Sequence, residues 1–239
     1  MNKDVGNSTG KITYNYKFIF KNGAQREFNI ELDSVTLNLI QTADKARPEW
    51  TKLSCFKCPN CTLNDQYEFC PVAVNMEDII DYFRNFVSHE LVEVIVTAPE
   101  RKYIKKVTLQ HGVSSLIGIY MVTSGCPVFE KLKPMVRFHL PFATIEETKY
   151  RAISMYLLGQ YFLYQQGSQP DWDLKKLAQA YENVRVVNES FCKRLRTIEG
   201  KDATLNALIV LDIFADSVNF SIDSRMVDDL DYLFKGYLK

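Results

Sequence analysis

Hydrophobic and polar positions alternate near the start of the chain. Ile12, Tyr14, Tyr16, Phe18 and Phe20 are separated by Thr13, Asn15, Lys17 and Ile19, the period of a strand with one buried face. Asn22-Gly23 follows, a strong signal for a tight hairpin turn, whose two central residues take φ > 0. Phe28, Ile30 and Leu32 then alternate with Glu27, Asn29 and Glu31, so a first β-hairpin is expected. Leu91 to Thr97 is rich in β-branched residues, and Tyr103 to Gln110 returns after the Ala98-Pro99-Glu100-Arg101 turn as a second hairpin. Between the hairpins, Met76, Ile79, Ile80, Phe83, Phe86 and Val87 fall on one helical face. Asn75 is the expected N-cap, with Glu77 and Asp78 in the first turn.

Beyond residue 110 the period becomes helical. His111 to Ser124 carries Leu116, Ile117, Tyr120 and Met121 and stops at Gly125-Cys126-Pro127. A short helix is expected over Phe129 to Lys133, then an extended segment from Arg137 to Phe142. Thr144-Ile145-Glu146-Glu147 has the form of a capping box. It opens a helix to about Gln166 whose predicted buried face is Tyr150, Ile153, Leu157, Tyr161 and Tyr164. A longer helix is predicted from about Asp171 to Glu199. Its apolar positions Leu174, Leu177, Tyr181, Val184, Phe191, Leu195 and Ile198 form an a/d stripe, with Asn188 at a core position. Further helices are expected over Ala203 to Val218 and from about Ser224 to Leu238.

The predicted fold class is α+β. Two β-hairpins form an antiparallel sheet with one intervening helix, followed by a helical C-terminal half. The expected division is 1–110 for the hairpin and cysteine-loop part and 111–239 for the helical part, within one compact domain.

Charge changes this picture little. Lys plus Arg equals Asp plus Glu at 29 each, which argues against nucleic acid and against attraction to a membrane surface. The start of the sequence shows no apolar signal region, and no run reaches the roughly 18 apolar residues of a membrane span. A cytoplasmic protein with reduced thiols is the expectation. A protein partner or self-association is left open.

The candidate chemistry lies in Leu53 to Val74. Cys55, Cys58, Cys61 and Cys70 follow each other as C-x2-C-x2-C-x8-C, with Pro after both Cys58 and Cys70. Thiols packed this densely point to a bound metal rather than to disulfides. Cys126 stands at a helix end, where it can deliver a thiolate from another element, while Cys192 reads as a core residue. Two ligand sets fit the spacing: Cys55, Cys58, Cys61 and Cys70, or Cys58, Cys61, Cys70 and Cys126. Two metals fit as well. Cys58-Pro59-Asn60-Cys61 looks like a zinc-ribbon knuckle, which suits Zn2+. The closely spaced cysteines with a remote Cys-Pro approach the ferredoxin pattern of a 4Fe-4S cluster, although the fourth cysteine comes too late for a ferredoxin.

Cys58-Pro-Asn-Cys61, Cys70-Pro-Val-Ala, Thr123-Ser-Gly-Cys126-Pro, Arg137-Phe-His-Leu-Pro-Phe-Ala143 and the Ser154-Met-Tyr-Leu-Leu158 helix resemble a bacterial family of unknown function. The resemblance spans nearly the whole chain. It implies the distributed set, Cys58, Cys61, Cys70 and Cys126, as the metal ligands, and it implies no activity.

No phosphate-binding glycine loop, H-E-x-x-H or nucleophile elbow occurs. Cys126 with His139 or His111 is a weak nucleophile–base candidate, and His139 is a weak substitute metal ligand. With no acid–base constellation beside the cysteines, a metal-binding protein with a mainly structural or interaction role is expected. The alternative is an iron–sulfur redox or metal-dependent enzyme.

Overall fold

The computed structural model describes residues 10–40, 46–197 and 226–238, together with Asn206, Ile209 and Ala215. Strands β1 (Lys11–Ile19) and β2 (Gln25–Asp33) form the first hairpin, and β3 (Leu91–Thr97) and β4 (Lys102–Thr108) the second. The two join through antiparallel pairing of β1 with β3, so the sheet order is β2-β1-β3-β4. The first turn is a three-residue loop, Lys21 to Gly23, closed by Phe20 N–H donating to the Ala24 carbonyl at 2.9 Å. Gly23 takes φ 82 but Asn22 is not in the left-handed region, so the expected two-residue turn is not what forms. The predicted α+β class and the single antiparallel sheet are what the molecule has.

Alternation decides which face is covered. Tyr14, Tyr16 and Phe18 of β1, Ile30 and Leu32 of β2 and Val94 and Val96 of β3 are all buried. Helices α1 (Pro71–Phe83) and α2 (Leu109–Val122) supply the second layer. Phe83 of α1 stacks on Phe28 at 5.5 Å between ring centroids and meets Phe18 edge-on at 5.0 Å. Arg26 closes this aromatic cluster at the surface, its guanidinium 4.8 Å from the Tyr82 ring centre. On α2, a Cβ at Gly112 would stand 2.9 Å from Val94 Cγ2 and 3.0 Å from Phe18 Cε1. The helix therefore approaches the sheet as closely as a residue without a side chain permits.

Several boundaries differ from those expected. α1 begins at Pro71 with Cys70 as its N-cap, not at Asn75. Proline suits the first helical position because its missing N–H has no partner there anyway. Asn75 instead lies buried within the helix and donates to the Tyr120 carbonyl at 3.1 Å. The helix ends at Phe83, which leaves Val87 exposed. The short helix after Cys126 is a 3-10 turn over Pro127–Leu132 that continues into α3 (Lys133–Arg137), so Arg137 ends a helix rather than opening an extended segment.

α4 (Ile145–Gln165) has the predicted Thr144–Glu147 capping box. Its buried face matches the prediction only in part: Ile153 is inside and Leu157 half-buried, with Ala152, Tyr156 and Gln160 also inside, while Tyr150, Tyr161 and Tyr164 are exposed. Apolar residues surround this helix, so its sequence offers more than one apolar stripe. α5 (Lys175–Leu195) starts later than expected, after Leu174 in a left-handed conformation at φ 60. Its stripe is as predicted, with Leu177, Tyr181, Val184, Asn188, Phe191 and Leu195 buried. The helix ends at Leu195, with Arg196 as its C-cap, short of the expected Glu199; most of the helix expected over Ala203 to Val218 lies outside the described residues, though Asn206, Ile209 and Ala215 are helical. The last element is a 3-10 helix over Met226–Phe234. Among the described residues no single helix is long and apolar enough to cross a membrane.

Candidate metal centre

One antiparallel bridge, between Lys52 and Phe69, pins the cysteine loop. Leu53 N–H donates to the Glu68 carbonyl and Cys70 N–H to the Thr51 carbonyl, both at 2.8 Å. Within the loop a tight turn over Pro59-Asn60 lets Cys61 N–H reach the Cys58 carbonyl at 3.0 Å. Asn60 Nδ2 donates from that turn to the Asn183 carbonyl of α5 at 2.9 Å, which docks the turn on the helical half.

Cys70 and Cys126 arrive by a shared device. Each caps a helical turn whose first residue is proline: Cys70 before Pro71 of α1, and Cys126 before Pro127 of the 3-10 helix. Gly125 takes φ 85 to turn the chain out of α2. Both cysteines thus stand at the start of a helical segment.

Cys58, Cys61, Cys70 and Cys126 line one small cavity of about 20 Å³, together with Val187, Ser190, Phe191 and Arg194 of α5. Cys55 is not in its wall and is exposed; Cys192 is half-buried on another surface. All six cysteines are free thiols. Burial pushes the Cys126 thiol up to about 12, opposed by the Val128 main-chain N–H. Burial likewise raises Cys58, opposed by a hydrogen bond with Ser190 and by the Arg194 charge. The sulfurs feel one another: Cys126 interacts electrostatically with Cys70, Cys58 and Cys61. Among the described residues, however, no three His, Cys, Asp or Glu side chains already stand in metal-ligating geometry. The thiols share a cavity but are not drawn onto one point.

Arg194 is the residue that sequence reading missed. It is only 2% exposed, and its guanidinium donates to three carbonyls of the cysteine loop: Trp50 at 2.5 Å, Lys52 at 2.8 Å, and Phe56. Among the described residues no carboxylate pairs with it. A buried cation without a counter-charge is costly, and Arg194 shares the cavity wall with the four thiols and interacts electrostatically with Cys58.

The histidines belong elsewhere. His139 Nε2 meets Tyr16 Oη at 2.5 Å, and His111 Nδ1 meets Thr108 Oγ1 at 2.7 Å. Both line a second cavity whose wall does not include Cys126. The Cys126–histidine pair is therefore not assembled, and His139 is not positioned as a substitute ligand.

No curated protein and no solved structure matches the chain. One family profile, that of a domain of unknown function, matches residues 12–235. By that match, which takes in all the strands and α1 to α5, the chain belongs to the DUF6901 family.

Proposed function

We propose that this is a zinc-binding protein of the reducing cytoplasm, in which Cys58, Cys61, Cys70 and Cys126 hold one ion that clasps the cysteine loop to the helical half. The observation that carries this reading is the shared cavity: four cysteines from three separate segments line it, with Arg194 alongside. Four thiolates and a divalent ion leave a net negative charge, which offsets the buried guanidinium and accepts the Val128 N–H and the Ser190 hydroxyl. Tetrahedral thiolate coordination at Zn–S of about 2.3 Å is ordinary for a structural zinc. A cavity of about 20 Å³ is on the scale of one water-sized sphere. That favours a single ion over a 4Fe-4S cluster.

A structural role is supported by four thiolate ligands, which would fill a tetrahedral zinc, and by the lack of any His, Asp or Glu among the described residues lining the cavity. Tyr161, Phe162 and Tyr164 of α4 are exposed and offer an apolar surface for a protein partner or for self-association. Anaerobic purification with elemental analysis and a visible spectrum tests the assignment. One zinc per chain in a colourless protein is expected. Iron and sulfide with visible absorbance would replace zinc by the cluster, and a metal-free, fully folded protein would overturn the site.

A further inference from the structure

α4 docks on the body of the protein by one narrow stripe, with Ala152, Ile153, Tyr156 and Gln160 buried. The opposite stripe is Tyr150, Ser154, Leu158, Tyr161 and Gln165, which step by three and four along the helix, with Phe162 beside them. All six are exposed. The four large apolar ones, Tyr150, Leu158, Tyr161 and Phe162, are between 43% and 57% exposed. The Tyr161 and Phe162 rings meet edge to face at 5.9 Å between centroids, so they hold each other before any partner arrives.

No charged residue occurs from Ala152 to Pro170, although the exposed face of a helix ordinarily carries charge. Across a two-fold axis a surface meets itself, so a charge near the axis would face its own sign. A chargeless stripe suits that contact. A membrane-surface helix instead carries Lys or Arg along its polar flank, and this stretch has neither. At about 200 Å² for a whole aromatic side chain, the four apolar residues expose about 400 Å². Ser154 and Gln165 bring the face to about 500 Å² per copy, so two copies would bury about 1,000 Å² in all, the size at which an interface becomes specific.

We propose that this face pairs with its own counterpart on a second copy of the chain, α4 antiparallel to α4, about a two-fold axis at Leu158. That register sets each Phe162 ring opposite Ser154 of the other copy, a large side chain against a small one. It also sets Arg151, the nearest charge on the N-terminal side, opposite the uncharged Gln165. A second copy is one of the two occupants offered above for the α4 surface, and the pairing is independent of the metal site.

Sedimentation equilibrium of the full chain at micromolar concentration should give a dimer. Leu158→Glu and Leu158→Lys each place like charges face to face on the axis, and should raise the dissociation constant at least about a hundredfold. Mixed in equal amounts, the two variants should form a heterodimer, because their charges then oppose. Ser154→Arg, which leaves Leu158 in place, should also give a monomer. Both positions are on the surface, so every variant should still unfold cooperatively and carry as much metal as the wild-type chain. Loss of the dimer and loss of the metal are therefore separate results. Dimers that persist in Leu158→Glu, a mixture of the two charged variants that stays monomeric, or a monomeric wild-type chain would each overturn the proposal. A monomeric wild-type chain that sediments with phosphatidylcholine vesicles would assign the face to a membrane instead.

Discussion

The guanidinium of Arg194 on α5 donates to the main-chain carbonyl of Trp50 at 2.5 Å, across 144 residues of sequence. With the Lys52 and Phe56 carbonyls it fixes the path of the cysteine loop from a helix of the other half. The loop is thus shaped by a buried cation, whose charge opposes the rise that burial imposes on the Cys58 thiol.

Replacing Arg194 by Met keeps the packing volume and removes all three bonds. Hydrogen bonds to charged groups contribute about 1.5–3 kcal/mol each, and orphaned buried carbonyls carry their own cost. A loss of about 3 kcal/mol or more in urea unfolding is expected, together with reduced metal content. Arg194→Lys should recover part of the stability but not all, because one ammonium cannot match the planar fork.

His139 predicts a pH dependence. Desolvation holds its folded-state pKa below the ordinary imidazole value, so the unfolded chain binds the proton more readily. Stability from the neutral ring is present above about pH 6.5 and is lost as pH falls below that value toward the folded pKa. Between pH 6.5 and 5.5 the wild-type chain should lose about 1 kcal/mol more than His139→Gln. Parallel pH profiles for the two proteins would contradict this.

The approach of α2 to the sheet is tested by Gly112→Ala. The new methyl would meet Val94 and Phe18 at 2.9 and 3.0 Å, both fixed in the core. Overpacking of this kind costs about 1–3 kcal/mol. The better helix propensity of alanine offsets only about 1 kcal/mol of that. A lowered melting temperature is expected, with the secondary structure retained in circular dichroism.

Much of the sheet was legible because alternation and a turn pair specify it locally. Tyr16 has to face inward once Phe18 and Tyr14 do, and Asn22-Gly23 marks where the β1–β2 turn falls. Pairing of β1 with β3 follows from burying one continuous face. The helix starting at Pro71 was misplaced because Asn75 has the chemistry of a cap; only its tertiary bond to Tyr120 shows why an amide sits inside the helix. The face of α4 was partly misread because aromatic residues occur all round it, and size alone does not tell which stripe finds a neighbour. Among the cysteines, spacing singled out the stretch around Cys58 and Cys61, the helix-end position of Cys126 made it a candidate, and only the family resemblance preferred it to Cys55. Arg194 could not be anticipated. An arginine near the end of a long helix reads as a solvated or dipole-compensating charge, and nothing local announces three carbonyls from a distant loop.

The measurement that tests the clasp most directly is metal stoichiometry in two single variants purified side by side. Cys126→Ser should lose the zinc and melt at a lower temperature, whereas Cys55→Ser should retain one zinc per chain and the wild-type melting temperature. Full metal in Cys126→Ser with loss in Cys55→Ser would contradict the account and return the site to the contiguous loop.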